Sequence, residues 1–123
     1  MATISPWLSV SDATAAVDFY LTAFAATELE RHDDGGGRVM VAQLSVGGAD
    51  FWVADDADSS PDSITGGSVR MILAVDDPDA VFARAVAAGA TAVAAIYEDH
   101  GWRIGRIADP SGHHWEIGRR LPS

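Results

Sequence analysis

The chain has 123 residues, 48% of them apolar, and a formal net charge of −10. That length suits one domain with a real core, and the acidic surface disfavours nucleic acid and anionic lipid while favouring cationic partners. No run approaches the roughly 18 apolar residues that cross a membrane, and the start "MATISPWLSV" lacks the basic and apolar regions of a secretory signal. Cysteine and lysine are both absent, which removes disulfides, thiolate chemistry and lysine Schiff bases and fits a reducing cytoplasm.

In chain order, "TISPWLSV" is β-branched and aromatic and predicts a strand, with Pro6 marking an edge or an irregular start. "SDATAAVDFYLTAF" puts Ala13, Ala16, Val17, Tyr20, Leu21 and Phe24 on one helical face, and Ser11 or Asp12 can cap it. "TELERHDD" predicts a strand running out into the glycine turn "GGGR", with His32 exposed near the tip. "RVMVAQLSV" and "ADFWVA" are strands joined by "GG". Five aspartates between Asp50 and Asp62 meet no basic residue, and "DDADSSPDSITGG" reads as a solvated loop.

A second series follows. "SVRMILAV" predicts a strand and "DDPDAVFARAVAAG" a helix, with Asp77 as N-cap, Pro78 at the first position and Gly89 as the stop. "TAVAAIY", "WRIGRIA" and "HHWEIG" are strands, the last two joined by "DPSG", which matches a type I turn. Tyr97, Glu98, Asp99 and His100 precede the penultimate strand and suit a lid or a dimer contact. The order β-α-β-β-β therefore occurs twice. Val10 corresponds to Val75, Thr27 to Thr91 and Gly48 to Gly112. A repeat this long is a duplicated half-domain, with halves over 1–56 and 68–123 and a linker over 57–67.

This duplicated pattern resembles the vicinal oxygen chelate superfamily, which includes glyoxalase I, extradiol dioxygenases and bleomycin-resistance proteins. The motifs that carry the likeness are "SVSDATAAVDFYLTAF", "VDDPDAVFARAVAAGAT" and "GRIADPSGHHWEIG", in order across the whole chain. The resemblance implies an α+β fold of two βαβββ half-domains forming an incomplete barrel or cup with the helices outside. It also implies a small-molecule ligand and a homodimer.

Metal-dependent relatives carry ligands on the first and last strand of each half. Those positions fall here on Ser5, Trp52, Arg70 and Glu116. Glu116 alone is a good ligand; Trp52 has no lone pair to offer and Arg70 is a fixed cation. Shifting the first position to Ile4 or Pro6, or the third to Val69 or Met71, recovers nothing. No metal and no cofactor is expected, with His114 and His100 as the remote candidates for an unorthodox site. Neighbours on a strand face opposite ways, so His113 and His114 cannot share one ion. His114 shares a face with Glu116 and is expected to bond to the turn or to solvent. His113, Trp115 and Ile117 face the helix.

An Arg70–Glu116 ion pair is expected where relatives hold the metal. Ser5, Trp7 and Ser9 share a strand face, and Trp52, Ile72 and Trp102 add to an aromatic-lined site. No nucleophile–base pair is visible, and "GGGR" lacks the strand-to-helix setting of a phosphate loop. These features favour metal-independent sequestration of a cationic or aromatic antibiotic or metabolite, as in the bleomycin-resistance branch. The alternatives are a lyase, isomerase or dioxygenase with a non-standard site, a metal-free enzyme using Glu116 as base, and a structural or regulatory dimer.

Overall fold

The first helix forms where an apolar period meets a cap. Asp12 sits in extended backbone and its carboxylate accepts the Ala15 N–H, satisfying one of the free donors at a helix start. Helix α1 then runs Ala13–Ala23 and buries Ala13, Ala16, Val17 and Tyr20 as the spacing predicts, with Phe19 and Ala23 besides. The second helix, α2 (Pro78–Ala87), begins with Asp77 accepting the Ala80 N–H and Pro78 in its first turn. It ends before Gly89, whose φ of 118° is a conformation that side chains disfavour.

The computed structural model describes residues 2–59 and 69–122. Two compact units divide the chain, residues 1–60 and 61–123. The linker expected over 57–67 lies largely outside the described residues.

The first unit holds β1 (Trp7–Val10), β2 (Thr27–Asp33), β3 (Val39–Val46) and β4 (Ala49–Asp55) in the order β1-β4-β3-β2. The second holds β5 (Met71–Ala74), β6 (Thr91–Asp99), β7 (Trp102–Ala108) and β8 (His114–Arg120) in the order β5-β8-β7-β6. In each sheet the first and last strands pair in parallel and the others antiparallel. The fold is α+β, with two mixed open sheets and no closed barrel. Strand β1 is shorter than its sequence suggests. Pro6 has no N–H to give the ladder, so Ser5 lies outside the strand, although Pro6 O still accepts the Trp52 N–H at 2.9 Å.

Helix α1 packs on β3 and β4, and α2 on β6, β7 and β8. In the first unit the helix-facing layer is aromatic. Tyr20 meets Phe51 edge-on at 5.2 Å, and Phe19 and Phe24 complete the cluster. In the second unit Trp115, Ile117 and Ile107 fill the layer, with Ala85 from the helix. A Cβ at Gly105 would lie 3.0 Å from the Phe82 ring, so that glycine lets α2 approach β7.

Candidate functional site

Strand parity sorts β8 into two faces. Trp115 and Ile117 go to the helix, while His114, Glu116, Gly118 and Arg120 go to the open side. Across the ladder Glu116 stands opposite Arg106 on β7 and Ile72 on β5. Gly118 stands opposite Ile104, and a Cβ there would lie 2.8 Å from Ile104 Cγ1. A glycine at that point lets Ile104 lie over the strand and form a wall.

Glu116 is the centre of this face. Its Oε1 is 3.3 Å from Arg70 Nε and 3.5 Å from Arg106 Nη2. The Arg70 pair forms where the sequence places it. Arg106 is a second cation that sequence reasoning missed. Both distances are long for charge-assisted bonds, which run about 2.7–2.9 Å, and no described residue donates a hydrogen bond to Oε2. Arg103, one strand position out of phase, faces the helix. It grips Asp79 of α2 with two bonds of 2.7 and 2.6 Å, and this holds the Asp79 carboxyl below its usual range. One arginine on β7 is locked into the scaffold and the other is loosely held beside Glu116.

Two adjoining hollows open on this face. The larger, about 260 Å³, is lined by Ile72, Tyr97, Asp99, Trp102, Ile104 and Glu116, with His100 at its edge. The smaller, about 240 Å³, shares Tyr97, Ile104 and Glu116 and adds Arg106. Glu98 and Asp99 extend β6 beyond the expected strand, which ends at Tyr97. Strand β6 runs on to Asp99, and His100 (φ 49°) and Gly101 (φ 82°) make a two-residue turn.

The expected residues Ser5, Trp7, Ser9 and Trp52 belong to the first unit. Trp7 and Trp52 pair across β1 and β4 on the open face of the first unit, with ring centres 6.1 Å apart and planes inclined by 27°. Trp7 is 58% exposed. Ser9 shares that face by parity, and Ser5 lies before the strand, so the expected face of Ser5, Trp7 and Ser9 loses its first member. Of His114, Nδ1 is buried and meets no partner among the described residues.

The turn residue Asp109 does more than start a turn. It is 4% exposed; its Oδ1 accepts the Ser111 and His113 N–H groups, and its Oδ2 accepts the Trp115 indole N–H at 2.9 Å. The turn thereby anchors the helix-facing side of β8 and sets which side Glu116 faces.

The donor set does not fit a divalent ion. Of the four positions carried over from metal-dependent relatives, Ser5 is outside its strand, Trp52 lacks a donor, and Arg70 sets a positive charge against Glu116. Among the described residues, no three His, Asp or Glu side chains come together in a way that could hold a metal.

Two βαβββ units, each a mixed sheet with a helix on one face and an open face on the other, define the glyoxalase type of α+β protein. The chain belongs to the glyoxalase-like domain family, whose model matches residues 6–118. An uncharacterized protein of Mycobacterium bovis is 42% identical, over 94% of this chain and 82% of the relative. TioX from Micromonospora sp. ML1 superposes with a TM-score of 0.77 at 30% identity, over 98% of this chain and 100% of TioX. A glyoxalase-related enzyme from Fulvimarina pelagi shares the fold with a TM-score of 0.76 at 22% identity, over 98% of this chain and 89% of that one.

Proposed function

We propose that the open face of the second unit binds a small molecule without a metal and holds it rather than transforms it. The observation that carries this reading is the environment of Glu116. Two arginines approach one carboxylate oxygen, and the other takes no hydrogen bond from a described residue. Arg70, Ile72, Trp102 and Glu116 are the expected residues of this site, to which Tyr97, Ile104 and Arg106 are added. The ring and aliphatic walls take an apolar body, and Glu116 takes an ammonium or N–H group. Within the first unit, Trp7 and Trp52 offer an aromatic platform, with Ser9 on the same strand face and Ser5 before the strand.

Among the described residues, no second carboxylate or histidine is hydrogen-bonded to Glu116, so a proton taken there has no onward protein partner among them. A cationic aromatic antibiotic or metabolite fits both the site and the acidic surface. The reading includes a homodimer at work in the cytoplasm, for which light scattering gives the mass.

A thermal-shift screen of cationic aromatic compounds in EDTA tests the proposal. A ligand at 100 times its Kd adds about 2.7 kcal/mol to the folded state and raises the melting point. No shift across a broad panel contradicts the binding role. Stoichiometric Mn, Fe, Ni or Zn in protein purified without chelators contradicts metal independence.

A further inference from the structure

The geometry points to Arg120 as the residue that selects which aromatic ring the second unit accepts; this inference rests on the proposal that the hollow binds a ligand. Arg120 and Trp102 are cross-strand partners on the open face of β8 and β7. The guanidinium carbon lies 4.9 Å from the centre of the Trp102 ring, inside the cation–π range of about 6 Å. Trp102 lines the larger hollow and Arg120 does not. On this proposal the guanidinium lies on the ring surface turned away from the hollow, so that the indole stands between that cation and a ligand.

The backbone holds this arrangement. Leu121 N–H donates to Gly101 O at 2.7 Å, tying the residue after Arg120 to the residue before Trp102. Arg120 makes no ion pair with a carboxylate among the described residues.

A cation on one face of an aromatic ring draws π density toward itself. The opposite face becomes less negative, a poorer seat for a second cation and a better one for an electron-rich ring. The same hollow supplies Asp99 and Glu116 for a positive group. The two ends of a ligand are thus sorted: its electron-rich ring goes to Trp102 and its ammonium to the carboxylates. The hollow, about 260 Å³, is smaller than the roughly 300–1,000 Å³ of drug-sized sites. The class that fits is an electron-rich arylalkylamine, or such an arm of a larger molecule that extends into solvent.

Two probes of similar shape and equal charge test this: para-methoxyphenethylamine, with an electron-rich ring, and para-nitrophenethylamine, with an electron-poor one. Each is titrated into wild type, Arg120→Lys, Arg120→Leu and Arg120→Gln, following the Trp102 indole N–H by NMR, with the melting point of each variant as the check on folding. Wild type is expected to prefer the methoxy probe about twofold to fivefold more than Arg120→Leu and Arg120→Gln do, and Arg120→Lys to keep most of that preference. An unchanged ratio in Arg120→Leu and Arg120→Gln overturns the role. Tighter binding of both probes in those variants also overturns it, because Arg120 would then be competing with the ligand for the ring. Binding of neither probe to wild type counts against the pocket itself, an outcome distinct from binding without preference.

Discussion

The two units share a plan of helix on sheet yet are held together differently. Of the twenty buried hydrophobic residues among the described ones, fifteen lie in the first unit and five in the second. Helix α1 brings Phe19 and Tyr20 to the sheet, whereas the buried residues of α2 are Pro78 and Ala85. The second unit makes up part of the difference with polar ties. Arg103 joins β7 to α2 through Asp79, and Asp109 joins the β7–β8 turn to the Trp115 indole. One βαβββ plan can therefore rest on aromatic packing or on a thinner core with directed hydrogen bonds. The ionic chemistry of the open face falls on the second kind.

The largest effect should come from the aromatic layer. Phe51→Ala removes a ring packed against Tyr20 and is expected to cost about 3–5 kcal/mol in denaturant unfolding. A loss under about 1 kcal/mol would remove the contrast between the units. In the second unit Asp109→Ala strands three N–H donors, and an expected loss of about 2–4 kcal/mol should come with a changed Trp115 fluorescence. If Asp109→Ala is silent, the polar tie is not what holds β8.

Asp55 sharpens the comparison through pH. Its carboxylate accepts the Ala13 N–H and pairs with Arg38 at 2.7 Å. The Ala13 bond foremost, then Arg38, lowers its pKa against the opposing effect of burial. Its folded-state pKa therefore lies below the unfolded value of about 3.9. The stability it adds is complete above that value and is lost as pH falls through the folded-state pKa. Asp55→Asn should cost about 1 kcal/mol near neutrality and converge with wild type in strong acid. A constant gap across that range would contradict the assignment. The smallest effect is expected from Val86→Ala on α2, an exposed position, within about 0.5 kcal/mol in the same unfolding assay.

Much of the fold was legible because caps and turns have local causes. Asp12, Asp77, Pro78 and Gly89 mark the helix ends, and Asp109 to Gly112 mark the last turn. The Arg70–Glu116 pair was legible through strand parity joined to a family resemblance. Arg106 was missed because its place opposite Glu116 depends on the β7–β8 register, which no single strand encodes. The alternation of Trp102, Ile104 and Arg106 in "WRIGRIA" was the available signal. Tyr97 was placed in its strand but not at the site, because register shifts in β6, between Ala92 and Ala94 and between Ala94 and Tyr97, break the alternation that would set its face. Asp109 hid its second role because turn geometry already accounted for it.

In the proposed reading Glu116, approached by two arginines, holds a ligand without a metal. Calorimetric titration of the best thermal-shift ligand into wild type and Glu116→Gln, both in EDTA, tests it most directly. Stoichiometric binding to wild type that EDTA leaves unchanged is expected, with at least about tenfold weaker binding to the variant. Binding abolished by EDTA, or equal in the two proteins, would contradict it.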